Sequence, residues 1–278
     1  MQFANKVVLV TGGSEGLGKG VAQAFVRAGA HVVVNGRNGD KLAQAVAELT
    51  PYAQGDARVV GISADVGKSA EVAKMFAQVC ETFGTLDVLI NNAAHTPTEG
   101  ASVRARLDHL NMMTKPVPKH SLGVTREMSD EVWQAMIETN LNGVFYCTRE
   151  ALRLMEPKVY GKIVNVASVA GIAGISPHSP HYSASKGGVV AFTRSVAVEV
   201  VGAGINVNCI AAGGVATEAW DAMIARAGEA VRGQLMQLIP AGRMGTLNEF
   251  ASLALYLASD EAAYLVGQVI SPNGGLVT

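Results

Sequence analysis

Charge is sparse in this chain. Asp, Glu, Lys and Arg make up 16% of its 278 residues, against roughly 25% in an ordinary globular domain. With 49% apolar residues, that excludes a disordered chain and a coiled coil. Charge of one sign is also missing: 22 basic residues face 23 acidic ones. The chain has no general attraction to nucleic acid or to an anionic membrane, and neither partner is expected. Cysteine is limited to Cys80, Cys147 and Cys209. They are odd in number, far apart and without metal-ligand spacing, as expected of reduced thiols in a cytoplasmic protein with no metal site. No uncharged apolar run reaches the ~18 residues of a membrane span. The opening MQFANKVVLVTGG lacks the apolar stretch and cleavage site of a signal peptide. Internal repeats, low-complexity linkers and shifts of composition are absent too. Although the chain exceeds a prior of about 150 residues per domain, α/β folds of about 250 residues often form one unit. One domain over 1–278 is the expectation.

Glycine is abundant, at 31 residues, which suits tight turns and close backbone approaches. The apolar pattern alternates between short runs and helical stretches. Runs at Val7–Val10, His31–Asn35, Val59–Ser63, Leu86–Asn91, Lys162–Val166, Ile205–Ile210 and Gln268–Ser271 read as strands. Helical periodicity falls between them, near 18–28, 39–49, 68–83, 129–155, 182–201 and 246–258. Such alternation predicts right-handed βαβ crossovers and a Rossmann-type, doubly wound parallel sheet of about seven strands. Two stretches are less regular. Within 95–128, Val103, Leu107, Leu110 and Met113 fall at helical spacing; within 213–240, Trp220, Met223, Ile224 and Val231 indicate one or two amphipathic helices. Long segments of this kind tend to be functional, and the second reads as a substrate lid.

Three motifs carry chemistry. Thr11-Gly12-Gly13-Ser14-Glu15-Gly16-Leu17-Gly18 joins the first strand to the first helix. Glycines there let the backbone approach a pyrophosphate, and the helix N-terminus offers unpaired N–H groups. Tyr182 and Lys186 lie at i, i+4, on one face of a helix. A tyrosine hydroxyl, with an ordinary pKa near 10, exchanges protons at neutrality only if a nearby cation lowers it. Ser168 follows the carboxyl end of a strand, where ligands of open parallel sheets bind; a lone serine there is far more often a loop or N-cap residue.

These pieces, with Asp65, the run Asn91-Asn92-Ala93-Ala94 and Asn140, occur in the order of the short-chain dehydrogenase/reductase family. The chain resembles that family from residue 4 almost to the C-terminus. The resemblance implies a catalytic set of Asn140, Ser168, Tyr182 and Lys186. Tyr182 is then the general acid in ketone reduction and the base in alcohol oxidation. Lys186 lowers its pKa and holds the nicotinamide ribose, Ser168 polarises the substrate carbonyl, and Asn140 holds a water of a proton relay; the plainer reading of Asn140 is an amide that kinks its helix, and both can hold together. It further implies a coenzyme site of Gly12, Ser14, Gly16, Leu17, Gly18, Arg37, Asp65, Val66, Asn91, Ala93, Tyr182, Lys186, Gly213, Val215 and Thr217. Asp65 and Val66 would contact adenine, Asn91 would tie the fourth strand into the sheet and line the groove, and Thr217 would meet the carboxamide. The chain departs from the family's pattern in three places: Ala94 replaces a glycine, Ala212-Gly213 replaces Pro-Gly, and a segment is inserted between Asn91 and Asn140.

The acid that accepts the ribose 2′-hydroxyl of NAD normally ends the second strand. Gly36 stands there, followed by Arg37. Without a carboxylate, and with a planar cation beside it, a 2′-phosphate is favoured, so NADP(H) is preferred and NAD(H) remains possible. Glu15 counts against this. The expected activity interconverts a ketone and a secondary alcohol, a small-molecule carbonyl or alcohol substrate. The alternatives are a 3-oxoacyl-thioester reductase of the same family and a non-catalytic dinucleotide-binding sensor or scaffold. Arg104, Arg106, Lys115 and Lys119, against Glu99 and Asp108, make the insertion mildly basic. It fits a lid, a site for an anionic substrate tail or an oligomer contact, with a lid or interface helix over 101–113 preferred. The resemblance also implies a homotetramer or homodimer.

Overall fold

The computed structural model describes residues 2–97 and 100–278, and the side chains of all of these except 100, 101, 219, 223, 224, 226, 227 and 229–231. The strands are β1 (Val7–Val10), β2 (His31–Gly36), β3 (Val59–Ser63), β4 (Val88–Asn91), β5 (Gly161–Ser168), β6 (Ile205–Ala212) and β7 (Val269–Ile270). They form a seven-stranded sheet in the order β3-β2-β1-β4-β5-β6-β7, every pair parallel. The chain winds outward from β1 to β3, then returns to place β4 against the other side of β1. A crevice opens at that reversal, beyond the carboxyl ends of β1 and β4.

The helices are α1 (Gly16–Arg27), α2 (Gly39–Leu49), α3 (Ser69–Phe83), α4 (Gly100–Thr114), α5 (Val124–Glu127), α6 (Asp130–Ile137), α7 (Gly143–Met155), α8 (Pro180–Val200), α9 (Glu218–Ala227), α10 (Glu229–Gln237) and α11 (Leu247–Ala258). Successive residues of β1 serve opposite layers. Val8 and Val10 pack with Phe25 of α1 and Phe250 of α11, whereas Val7 and Leu9 pack with Phe76 of α3 and Met155 of α7. Burial on both faces explains why the strand is a continuous apolar run and not an alternating one. Each such side chain contributes roughly 1.5–3 kcal/mol over an exposed one. Asn35 braces the edge, its amide donating to Ile62 O at 3.2 Å and Ala64 O at 3.0 Å.

Two expectations are corrected. The helical stretch near 129–155 is not continuous: a wide π-helical turn over Glu138–Asn142 separates α6 from α7. Periodicity runs on across such a turn, which therefore leaves little sequence signal. In α4, Leu110 is buried as the spacing predicts, but Met113 is 53% exposed and Ala105 and Met112 are buried instead. Its apolar face is turned from the predicted one. The two-helix reading of 213–240 matches α9 and α10, while the side chains of Met223, Ile224 and Val231, like Glu99, lie outside the described residues. Among the described residues no helix is long and apolar enough to cross a membrane.

Candidate active site

A groove of about 420 Å³ follows the crevice. Its floor at one end is the glycine loop, which an asparagine latches to β4. The Asn92 amide donates to Thr11 O at 3.0 Å and Gly12 O at 3.1 Å, and Thr11 Oγ1 accepts from the backbone N–H groups of Asn92 and Ala93. Gly18 is indispensable to this closure, because a Cβ there would meet Gly12 O and the Asn92 amide. Gly16 differs: it turns at φ +52° and a Cβ would meet nothing within 4 Å, so the groove is open above it. The N-terminus of α1 has no side-chain cap. Uncapped N–H groups facing open space on a glycine turn fit a pyrophosphate.

The far end holds two cations, each beside an acid. A Cβ on Gly36 would lie 2.8 Å from Ser14 Oγ, so Ser14 occupies the room an acidic side chain would need. The Arg37 guanidinium is largely exposed and 3.9 Å from Asp65. Lys41, in the first turn of α2, lies 2.7 Å from Glu15. The acid that counted against a 2′-phosphate is thereby neutralised, a pairing sequence reasoning missed. Its only signal was a lysine four residues after Arg37.

The end that holds the expected catalytic residues is built by β5 and α8. Ser168 closes β5, its Oγ accepting from Ala170 N at 3.2 Å. Pro180 opens α8, so Tyr182 falls in the first turn and Lys186 one turn on. Against the expectation that a cation lowers it, the Tyr182 phenol is held above its ordinary pKa: burial pushes it up, and a hydrogen bond with Ser168 and the Arg106 guanidinium offset this only in part. Lys186 is 2% exposed; its Nζ donates to Val166 O at 2.8 Å and lies 5.9 Å from the Tyr182 ring centroid. Burial lowers its pKa to about 8. Thus the cation the sequence placed beside the phenol is held by the strand, and a second cation from the insertion acts on it. Arg104, Lys115 and Lys119 are exposed, whereas Arg106 is half-buried, a difference the basic composition alone does not reveal.

Every residue assigned to the coenzyme lines the groove except Asn91. Asn91 is buried beneath it, donating to Asn165 Oδ1 at 2.8 Å and Thr148 Oγ1 at 3.1 Å. It does tie β4 to β5, but Asn92 is the one that faces the groove; a one-residue step along a strand reverses the side chain. Asn140, fully buried in the π-helical turn, accepts from His95 N at 2.7 Å and donates to His95 O at 3.0 Å and Ser185 Oγ at 3.2 Å. It clamps the segment after β4 against α8. Gly213 is required where it stands, since a Cβ would lie 2.6 Å from Asn273 Cα, and Ala94 lines the groove without closing it.

Comparison with known proteins agrees with this geometry. The sequence profile described as short chain dehydrogenase matches residues 6–227. The chain is 34% identical over 275 residues to the (2S)-[(R)-hydroxy(phenyl)methyl]succinyl-CoA dehydrogenase subunit BbsD of Thauera aromatica, covering 99% of this chain and 98% of that one. It is 33% identical over 278 residues to the 3-oxoacyl-[acyl-carrier-protein] reductase FabG of Escherichia coli, covering 99% of both. A crystal structure of an actinorhodin polyketide ketoreductase variant with NADPH superposes with a TM-score of 0.83 at 31% identity, over 98% of this chain and 97% of that one. A parallel sheet with its crevice at the β1–β4 reversal, an open glycine turn at one end of the groove and Ser168, Tyr182 and Lys186 at the other thus agree with sequence relationship over nearly the full length: the chain is an oxidoreductase of the short-chain dehydrogenase/reductase family, an NAD(P)-dependent enzyme acting on CH–OH and C=O groups.

Proposed function

We propose that the protein interconverts a ketone and a secondary alcohol with NADP(H), Tyr182 supplying and accepting the proton. The observation that carries this reading is the pairing of Ser168 with the Tyr182 phenol inside the groove. Ser168 orients the carbonyl oxygen, and Tyr182 transfers its proton to that oxygen as charge develops on it. When bound, the nicotinamide supplies or takes the hydride. Lys186, a buried donor one turn further along α8, holds the ribose, and Thr217 at the groove's other wall holds the carboxamide. Asn140 keeps the segment after β4 in place and takes part in proton relay. Arg37 and Lys41, with Ser14, bind the 2′-phosphate, and the crystallised ketoreductase with NADPH supports that preference.

The segment 213–240 covers the substrate. Exposed Trp133 and Phe145 on α6 and α7, the latter edge-on to Phe192 of α8, are read as contacts of a homodimer or homotetramer. A second reading, reduction of a 3-oxoacyl thioester, is favoured by the Escherichia coli relative's name. Consumption of NADPH and of NADH, followed by absorbance over panels of ketones, 3-oxoacyl thioesters and alcohols, tests both. Turnover of ketones faster with NADPH supports the first reading. Turnover of thioesters alone supports the second, and no coenzyme-dependent turnover with any panel refutes both.

A further inference from the structure

Tyr182 lies in the first turn of a helix whose start is left uncapped. Ser179 is the N-cap of α8, yet its side chain makes no capping bond. An N-cap serine ordinarily accepts from a free N–H group of the first turn and so fixes it. Here Ser179 Oγ is buried with no hydrogen-bond partner among the described residues, as are His178 Nδ1 and His181 Nδ1 on either side of that turn's start. Buried polar atoms left unpaired oppose the placement of the segment that carries them. The entry of α8 therefore depends on contacts from outside the helix.

The π-helical turn supplies one of these contacts. Asn140 donates to Ser185 Oγ at 3.2 Å, and Ser185 donates to Tyr182 O at 2.8 Å. The insertion supplies another. Arg106 of α4 donates its Nε–H to His178 Nε2 at 3.0 Å. His109, almost one turn further along α4, brings its ring to 6.4 Å from that of His178, centroid to centroid. Residues at i and i+3 share a helix face, so one face of α4 meets one imidazole. Among the described residues this is the one side-chain hydrogen bond made by residues 174–179. The helix that supplies it is itself fixed, because Ala105, Leu110 and Met112 are buried and could not move without exposing apolar surface.

The bond has one sense. An Nε2 that accepts has a lone pair, so His178 is neutral and carries its hydrogen on Nδ1. Burial, then Arg106 and His109, push its pKa down to about 4, and the acceptor persists at neutral pH. His178 precedes Tyr182 by four residues, and Pro180, at the first position of the helix, fixes the backbone between them. A shift of His178 is thus passed along stiff backbone to the phenol. Neither Arg106 nor His178 lines the groove, so their effect runs through the chain and not through a ligand.

We propose that Arg106 is a positioning residue: through His178 it holds the entry of α8, and with it the Tyr182 hydroxyl, in place for proton transfer. The insertion then serves the reaction as a brace. This rests on Tyr182 and NADP(H) performing the reaction proposed above. A reacting group misplaced by about 1 Å can lose about 10²-fold in rate while the binding groove stays as it was, so the loss falls on kcat.

The test uses the full chain with NADPH and the ketone that the native protein reduces fastest. Arg106→Met and His178→Leu should each lower kcat by about tenfold or more, with KM for ketone and for NADPH within about twofold of native. Arg106→Lys and His178→Gln keep a donor and an acceptor across the same gap and should recover most of the loss. The double variant Arg106→Met/His178→Leu should be no slower than the slower single variant, since the two residues form one contact. A loss carried by KM, additive losses in the double variant, or conservative variants as slow as the others overturn the assignment. Amide hydrogen exchange of the same proteins with NADPH needs no turnover. Exchange over residues 183–187 that quickens in Arg106→Met, with β5 unchanged, upholds the brace; if no ketone is then reduced by the native protein, the ketone reaction alone is refuted. Ketone reduction that is lost in Tyr182→Phe, but unmoved with exchange in Arg106→Met and His178→Leu, leaves the reaction standing and refutes the brace.

Discussion

Lys41 Nζ lies 2.7 Å from the Glu15 carboxylate. The two residues come from separate turns, one ahead of α1 and one inside α2. Together they convert an acid that would repel a 2′-phosphate into half of an ion pair, with Arg37 beside it. Charge-assisted hydrogen bonds contribute about 1.5–3 kcal/mol, or about 10- to 100-fold in affinity. Arg37→Asp and Lys41→Glu should each lower the NADPH-to-NADH ratio of kcat/KM by about tenfold or more, Lys41→Glu also by releasing Glu15. Steady-state kinetics with both coenzymes checks this, and a ratio that stays put in both variants refutes the 2′-phosphate pocket.

Proton transfer by Tyr182 predicts a loss of about 10²- to 10⁴-fold in kcat for Tyr182→Phe, with coenzyme affinity largely kept. Ser168 adds a pH signature. Its hydrogen bond lowers the Tyr182 pKa because it stabilises the phenolate. Alcohol oxidation needs that phenolate, so its rate rises with pH through the Tyr182 pKa. Removing the bond in Ser168→Ala should move this limb to higher pH. A pH–rate profile of oxidation decides: an unmoved limb would mean that Ser168 does not touch the ionising group.

What could be read from the amino acids alone was set by the range of the physics involved. Strands such as Val7–Val10 are legible because both faces are buried and the whole run is apolar. The glycine loop is legible because only glycine serves at Gly16, with its positive φ, and at Gly18, which packs against Gly12 O. The break at Asn140 is legible only in part: an amide inside an apolar helical stretch marks a kink, but an extra residue in one helical turn leaves the surrounding apolar spacing almost intact, so its extent is hidden. The exchange of Asn91 for Asn92 in the groove depends on where the pleat ends, a one-residue matter. Arg106 is hidden for a different reason: its partner His178 lies 72 positions away, and no local pattern specifies a contact of that separation.

Two glycines offer a paired test of the loop. A Cβ on Gly18 would meet Gly12 O and the Asn92 amide, whereas one on Gly39 would meet nothing within 4 Å. Gly18→Ala should therefore cost about 1–3 kcal/mol through overpacking and weaken coenzyme binding by displacing the Asn92 latch. Gly39→Ala, at the first position of α2, should leave stability unchanged or raise it by up to about 1 kcal/mol, through a less flexible unfolded chain. Chemical denaturation and coenzyme titration of the two variants check this. Equal effects would show that the latch is not closely packed.

Lys186 carries a stability cost that its proposed role in the site requires. In the unfolded chain it keeps its proton up to about 10.5, whereas burial lowers the folded value to about 8. Below pH 8 both states are protonated and the folded state bears the full desolvation penalty, about 3 kcal/mol at 1.36 kcal/mol per pKa unit. Between pH 8 and 10.5 the unfolded chain binds more protons than the folded one, so this group makes stability rise with pH. Lys186→Met keeps the packed stem and removes the charge, at the loss of the bond to Val166 O, about 1 kcal/mol. The variant should abolish turnover yet be more stable than the native protein by about 1–2 kcal/mol at pH 7, an advantage that shrinks and vanishes as pH approaches 10.5. Urea denaturation of both proteins without coenzyme, at pH 7 and pH 10, reads the difference directly. A variant less stable at pH 7, or a difference that ignores pH, would show that the ammonium is hydrated in the folded chain and that its burial does not set its pKa.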